Sequence, residues 1–178
     1  MPVADNAPKT LLNSELLPQY SIGLLAQKLK KDGYMLATAE SCTGGLISAA
    51  CTSLAGSSDW FERGFVTYSN DAKHEQLGVD ADLIKEQGAV SEPVARAMAF
   101  GAIRHSKAQV SIAVTGVAGP TGGSAAKPVG TVWFGFSVNG ALHSEVQCFA
   151  GDRAGVREAT VRHAFQRVLA LLEAGPHV

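Results

Sequence analysis

A serine in the segment TAESCTGG, residues 38–45, has the surroundings that a nucleophile needs. The segment follows a short apolar run and precedes a helical pattern, so Ser41 is expected where a strand ends and a helix begins. Free N–H groups and the helix dipole at such a point favour an oxygen that gains negative charge. Gly44 and Gly45 let a ligand approach the backbone closely. The ordinary alternative, which spacing alone favours, is that Ser41 or Thr43 caps the helix.

A tyrosine and a lysine in the segment YSNDAK, residues 68–73, are candidates for activating that serine. A serine hydroxyl is a poor nucleophile unless a neighbour takes its proton, and a lysine kept neutral by burial can do so. Tyr68 is expected at the end of a strand and Lys73 on the following turn, so both can face one cleft. Without other information, the pattern favours an interfacial tyrosine and a solvated surface lysine.

Two later segments have the composition of ligand-binding loops. The segment TGVAGPTGGS, residues 115–124, is too rich in glycine for a simple connection, and it matches neither a P-loop nor a dinucleotide-binding pattern. Its composition leaves a ligand loop and a flexible hairpin-like loop equally open. Residues Gly151, Asp152 and Arg153 open the last predicted helix. Asp152 is expected to cap this helix, while Arg153 either reaches a phosphate or lies in water.

Other chemistries find less support in the sequence. Cys42, beside Ser41, is a rival nucleophile at the same helix start, but no histidine lies near it in the sequence. The five histidines show neither H-x-H nor H-E-x-x-H spacing, so no metal site is predicted. The three cysteines are too few and too scattered for a disulfide framework or a zinc site, and their odd number favours a reducing compartment.

Composition narrows the class of protein and its partners. The formal net charge is −1 and no block of like charge occurs, so no nucleic-acid-binding surface is expected. The first 19 residues lack the pattern of a secretory signal, and no apolar run approaches the roughly 20 residues of a membrane span. A cytoplasmic protein without a membrane segment is therefore expected.

The elements that would position these side chains alternate between helix and strand. Strands are predicted at 34–38, 61–68, 110–115, 129–138 and 143–149, the last two joined by the hairpin signal Asn139-Gly140. Helices are predicted from Ser21 as cap to Gly33, and at 43–56, 69–78, 80–87, 92–105 and 153–173. This order predicts one α/β domain at residues 20–178 with a mixed sheet between helical layers, after a loose leader at residues 1–19.

Five segments, taken together, resemble the nicotinamide-nucleotide amidohydrolase family, also called nicotinamide mononucleotide deamidases or the C-terminal domain of the competence/damage-inducible protein CinA. The segments are TAESCTGG (38–45), AGSSDWFERGFVTYSNDAK (55–73), GAVSEPVA (88–95), TGVAGPTGGSAAKPVGTVWF (115–134) and FAGDR (149–153). They occur in order and span most of the chain. The resemblance implies a three-layer α/β/α sandwich, here with a mixed, mainly parallel sheet of about five strands.

The resemblance also implies an activity and a set of site residues. The reaction is hydrolysis of the carboxamide of nicotinamide mononucleotide to nicotinate mononucleotide and ammonia, within pyridine-nucleotide recycling and without a cofactor or metal. Ser41 is the implied nucleophile, with Tyr68 and Lys73 acting beside it. On chemical grounds, the oxyanion is expected against amides near Thr43 and Gly44. The expected substrate contacts are Thr43, Gly44, Gly45, Thr115, Gly116, Gly119 and Arg153.

Two further expectations concern alternatives and assembly. The rival function is a non-catalytic nucleotide-binding or interaction module linked to competence or DNA damage, which would not need Lys73. A sheet with an exposed edge strand favours a homodimer or a larger homo-oligomer.

Overall fold

Strands and helices alternate through most of the chain in the computed structural model, which describes residues 16–175. The strands are β1 (Leu36–Glu40), β2 (Phe61–Val66), β3 (Val110–Gly116), β4 (Thr131–Val138) and β5 (Ala141–Cys148). The helices are α1 (Leu16–Asp32), α2 (Leu46–Thr52), α3 (Asn70–Leu77), α4 (Ala81–Gln87), α5 (Glu92–Arg104) and α6 (Arg153–Ala174), and a short 3-10 helix covers Ser57–Asp59. Within residues 16–175, no helix combines the length and the apolar character needed to cross a membrane.

The five strands form one mixed sheet in the order β2-β1-β3-β4-β5. β1 pairs in parallel with β2 and β3, whereas β3–β4 and β4–β5 are antiparallel. The predicted mixed sheet of five strands is confirmed, with two of its four pairings parallel rather than most of them, because the chain turns back after β3 and again in the hairpin after β4. The carboxyl ends of the parallel strands lie at the same end of the sheet, and ligands bind beside these ends in such folds.

Helices cover both faces of the sheet, which confirms the three layers. One core joins α1, α2 and α6 to side chains such as Leu36, Ile112 and Phe134. The other joins α3, α4 and α5 to Ala37 and Ala113, which are the neighbours of the first set along the same strands. Successive strand residues point to opposite faces, so each strand contributes to both cores.

The start of α1 differs from the prediction. α1 begins at Leu16, so Ser21 lies inside the helix instead of capping it, and residues 16–19 are helical instead of belonging to a leader. Pro18 misled the prediction, because a proline in the first helical turn removes only an N–H that has no intrahelical partner. Residues 1–15 of the predicted leader lie outside the described residues.

The predicted hairpin is confirmed at its turn. Asn139 and Gly140 have φ angles of 50° and 86°, as a two-residue turn with left-handed backbone requires. This turn joins β4 to β5 beside the amino end of β3, at the end of the sheet opposite the carboxyl ends of β1 and β3.

Candidate active site

The chain leaves β1 through a tight turn, residues 41–45, before α2 begins. The Gly44 N–H donates to the Ser41 carbonyl oxygen at 3.1 Å. Gly44 and Gly45 have φ angles of 59° and 101°, in the left-handed region that favours glycine. These two glycines precede α2, which begins at Leu46 instead of near Thr43 as predicted.

The turn is held by Glu40, the last residue of β1, whose side chain is fully buried. Its Oε2 accepts hydrogen bonds from Thr43 Oγ1 at 2.7 Å, Gly45 N at 3.1 Å and Ile47 N at 3.0 Å. Its Oε1 accepts from Ser48 N at 2.8 Å and Ser48 Oγ at 2.7 Å. The carboxylate thus satisfies the free N–H groups at the start of α2.

Because Glu40 caps α2, the capping role considered for the nearby hydroxyls is already filled. The Thr43 hydroxyl donates to that carboxylate, and Gly45, at the cap position, has no side-chain hydrogen bond. The Ser41 hydroxyl points instead toward an amine contributed by α3.

That amine is the side chain of Lys73, which is only 1% exposed. Its Nζ lies 3.0 Å from Ser41 Oγ and 2.8 Å from the Thr67 carbonyl oxygen. Burial lowers the pKa of Lys73 from its ordinary value of 10.5. A neutral amine has two N–H groups and one lone pair, so one N–H can donate to Thr67 while the lone pair accepts the Ser41 proton.

Cys42, the rival nucleophile, occupies a different environment. Its side chain is buried in the core under α2 and α6, and this desolvation raises the pKa of its thiol to about 11. A thiol that stays protonated is a weak nucleophile, so the local chemistry favours Ser41.

Among residues 16–175, no three His, Cys, Asp or Glu side chains are grouped so that they could hold a metal ion.

Tyr68 lies close to Arg153 rather than bonding to Ser41 or Lys73. Tyr68 is 60% exposed, and its hydroxyl accepts a hydrogen bond from Arg153 Nη2 at 2.9 Å. Arg153 Nη1 donates to the Gly119 carbonyl oxygen at 2.9 Å. The arginine therefore connects the end of β2 to the glycine-rich loop, at the start of a helix that a carboxylate oxygen of Asp152 caps.

The predicted contacts at the start of the glycine-rich loop have other partners within the fold. The buried Thr115 hydroxyl donates to the Ala89 carbonyl oxygen at 2.8 Å. A Cβ added to Gly116 would lie 2.7 Å from Cγ2 of Val132, so this glycine allows β3 to approach β4 closely. Of the three residues, Gly119 is the one that the structure places beside Arg153.

Arg157 lies at the candidate site, and the sequence prediction missed it. It lies one helical turn after Arg153, and its Nη2 donates to the Thr43 carbonyl oxygen at 3.0 Å. Its Nε is buried and has no hydrogen-bond partner within residues 16–175. The i, i+4 spacing of the two arginines was the available signal, because such residues share a helix face.

The two arginines line a pocket of about 620 Å³ between the glycine-rich loop and α6. Ligand pockets have volumes of roughly 300–1,000 Å³, so this one suits a small organic molecule. Its lining includes Ala118, Pro120, Val129, Asp152, Arg153 and Arg157. The hydrogen bond of Arg157 to the Thr43 carbonyl oxygen places the pocket next to the serine turn.

Comparisons with known proteins agree with this geometry. The family model described as the CinA C-terminal domain matches residues 21–172. The nicotinamide-nucleotide amidohydrolase PncC of Enterobacter agglomerans is 53% identical over 142 residues, which are 79% of this chain and 87% of that protein. The protein of the same name from Escherichia coli strain K12 is 49% identical over 143 residues, covering 80% of this chain and 87% of the relative.

A solved structure extends the similarity to three dimensions. The crystal structure of the competence damage-inducible protein A from Klebsiella pneumoniae subsp. pneumoniae MGH 78578 matches with a TM-score of 0.86 and 36% sequence identity. The match covers 89% of this chain and 99% of that one.

Proposed function

The chain belongs to the CinA C-terminal domain family and is an amidohydrolase, and from this premise we propose that it hydrolyses the carboxamide of nicotinamide mononucleotide. The products would be nicotinate mononucleotide and ammonia, which places the reaction in pyridine-nucleotide recycling. The relatives named nicotinamide-nucleotide amidohydrolase support the substrate. The observation that carries the mechanism is the 3.0 Å contact between Ser41 Oγ and the buried amine of Lys73.

In the first step, Ser41 Oγ attacks the carbonyl carbon of the amide. Lys73 takes the hydroxyl proton directly, because its lone pair faces the oxygen once the Thr67 carbonyl has accepted one of its N–H groups. The lowered pKa of Lys73 increases the fraction of neutral amine near neutral pH.

The negative oxygen of the tetrahedral intermediate needs preorganised donors. The sequence favoured amides near Thr43 and Gly44, but the Gly44 N–H already donates to the Ser41 carbonyl. We assign the role to the N–H group of Cys42, the residue after the nucleophile, which donates no hydrogen bond to another backbone group within residues 16–175. Glu40 fixes the same turn through its buried carboxylate, so this donor needs no reorganisation during the reaction.

Collapse of the intermediate breaks the C–N bond. Protonated Lys73 gives its proton to the departing nitrogen, which leaves as ammonia, and the nicotinoyl group remains as an ester on Ser41. Water then attacks the ester while Lys73 takes a proton from the water. The Ser41 oxygen recovers this proton when the nicotinate product leaves.

Ammonia release from nicotinamide mononucleotide by the purified protein tests the proposal. We expect steady release, its loss in Ser41→Ala, and its retention in Cys42→Ala, with unchanged circular dichroism in both variants. An active Ser41→Ala together with an inactive Cys42→Ala would assign the nucleophile to the thiol. A wild-type protein that binds the nucleotide but releases no ammonia would favour the non-catalytic binding module.

The buried lysine argues against that binding module. Desolvation disfavours the charged form of Lys73, and a non-catalytic protein would gain nothing from holding such an amine against a serine. A nucleotide-binding cleft would need only the helix start and the loop.

Assembly of the chain is a separate part of the proposal. β5 is an edge strand, and Val146 on it is 45% exposed. We propose that the chain forms a homodimer or a larger homo-oligomer, which light scattering coupled to gel filtration would test.

A further inference from the structure

The pocket beside the serine turn contains a cation with unused hydrogen-bonding capacity. Arg157 lines the pocket, and its Nε is buried without a hydrogen-bond partner within residues 16–175. A buried donor without an acceptor is unfavourable, and native structures rarely retain one unless a ligand or water completes it. An acceptor that enters the pocket would complete this donor.

The charges that line the pocket favour an anion. Arg153 and Arg157 contribute two positive charges, and Asp152 contributes the one negative charge among the lining residues. An Asp152 carboxylate oxygen already accepts the Gly155 N–H at 2.9 Å as the cap of α6. The Arg153 guanidinium is committed to Gly119 and Tyr68. Arg157 is therefore the cation in the pocket whose unpaired donor is buried.

Arg157 also reaches the catalytic turn. Its Nη2 donates to the carbonyl oxygen of Thr43, two residues after the nucleophile. A Cβ added to Gly44 would lie 3.7 Å from the same Nη2, so the guanidinium lies directly over the turn. A ligand that touches Arg157 thus extends from the pocket toward Ser41, as a substrate with a reactive amide at one end would.

We propose that Arg157 binds the phosphate monoester of the substrate and makes the enzyme select a nucleotide over the corresponding nucleoside. The inference rests on the proposed function and adds a specificity-determining residue to it. A guanidinium presents parallel N–H groups that match two phosphate oxygens, and the free Nε supplies one of them. Arg153 contributes charge from the rim of the pocket.

The test compares two substrates that differ only in the phosphate. The catalytic efficiency, kcat/KM, of ammonia release is measured with nicotinamide mononucleotide and with nicotinamide riboside, for the wild type and for Arg157→Gln. The control is Arg162→Gln, on the same helix but outside the pocket. We expect Arg157→Gln to lower kcat/KM about ten- to a hundredfold for the nucleotide, the factor of a charge-assisted hydrogen bond, and less than about threefold for the riboside.

An equal loss on both substrates would overturn the inference, because Arg157 would then only position the turn through Thr43. An unchanged efficiency with the nucleotide would overturn it as well. Arg157→Lys keeps the positive charge but lacks the parallel N–H groups, so its kcat/KM for the nucleotide is expected to fall by an intermediate factor. This variant replaces Arg157→Gln in the test if Arg157→Gln does not fold.

Calorimetry separates this inference from the proposed function. Nicotinamide mononucleotide is titrated into Ser41→Ala and into the double variant that also carries Arg157→Gln. Weaker binding by the double variant supports the phosphate contact even if the wild type releases no ammonia. Equal binding by the two proteins would contradict it.

Discussion

The turn at residues 41–45 and the loop at residues 117–130 follow neighbouring parallel strands, yet they are held in different ways. The turn after β1 surrounds a buried carboxylate that accepts hydrogen bonds from the start of α2. The loop after β3 is exposed over residues 120–126. Arg153 donates to the Gly119 carbonyl of the loop, and Lys127 of the loop donates to the Gln87 carbonyl at the end of α4. One segment is fixed by buried polar contacts and the other mainly by contacts at the surface.

Under the proposed mechanism, this difference separates the chemical step at the turn from substrate recognition at the loop. Oxyanion donors work best when they are already in place, which a turn fixed by Glu40 provides. A loop that closes over a substrate can tolerate weaker contacts, because the ligand itself adds contacts on binding. Changes near the turn should therefore alter turnover and stability strongly, and changes along the loop should mainly alter substrate affinity by small factors.

The largest effect is expected from Lys73→Met. Removing a general base lowers turnover by about two to four orders of magnitude, while binding of nicotinamide mononucleotide should be nearly unchanged. Steady-state kinetics and calorimetry on the same preparation measure the two quantities, and Lys85→Met, at an exposed position of α4, is the control. Equal losses in turnover and affinity would remove the role of Lys73 as base.

The same substitution tests, through the stability of the fold, whether the pKa of the Lys73 amine is lowered. Burial lowers the pKa of Lys73 in the folded protein, so below that pKa folding carries the full free-energy cost of the buried charge. This cost disappears as the pH rises through the window between the folded pKa and 10.5, the ordinary value. Lys73→Met should therefore be more stable than the wild type near neutral pH, with an advantage that shrinks as the pH rises. Urea unfolding at several pH values measures it, and a constant difference would contradict the lowered pKa.

Glu40→Gln is expected to have the next largest effect, on stability. An amide nitrogen cannot accept hydrogen bonds, so the donors that face one carboxylate oxygen, such as Ser48 N and Oγ, would lose their acceptor. At about 1–3 kcal/mol for each buried unsatisfied donor, the loss should be at least about 2 kcal/mol. Urea unfolding measures it against Glu86→Gln, at an exposed position of α4. A loss no larger than that of the control would show that the turn does not depend on the carboxylate.

Local signals in the sequence predicted much of the fold. Ser69, Asp80 and Asp152 were expected at helix starts, and the structure places each of their side chains as the cap of a helix. The start of α1 and the proportion of parallel pairings escaped prediction, since a proline is allowed in a first turn and pairing depends on the whole chain.

The site was less accessible to sequence reasoning because its contacts are distant along the chain. Spacing alone favoured a capping role for Ser41 and a solvated Lys73, and only the family resemblance brought the two together. The partnership of Tyr68 with Arg153 joins residues 85 positions apart. The spacing of Arg157 from Arg153 was a local signal for a shared helix face, but the buried unpaired nitrogen of Arg157 depends on distant contacts and could not be predicted.

Tyr68→Phe should change the kinetic parameters less than Lys73→Met does. It tests whether Tyr68 contributes to substrate binding, as the loop does, or to catalysis, as the turn does. The change removes the hydroxyl that accepts from Arg153, and one such hydrogen bond corresponds to about a tenfold change or less. The effect should fall mainly on KM for nicotinamide mononucleotide. Tyr34→Phe, at a residue that lines a different pocket, is the control. A fall in kcat as large as that of Lys73→Met would instead place Tyr68 in the proton transfer.

The smallest effect is expected from Lys127→Met, in the loop itself. Lys127 Nζ donates to the Gln87 carbonyl oxygen at 3.2 Å and so ties the loop to the end of α4. The contact is exposed, so its loss should change the free energy of unfolding by no more than about 0.5 kcal/mol, as for Lys31→Met on α1. Faster hydrogen exchange confined to residues 117–130 should accompany it, with at most about a twofold rise in KM. A loss of stability that approaches that of Glu40→Gln would mean that the loop, like the turn, is held by contacts on which the fold depends.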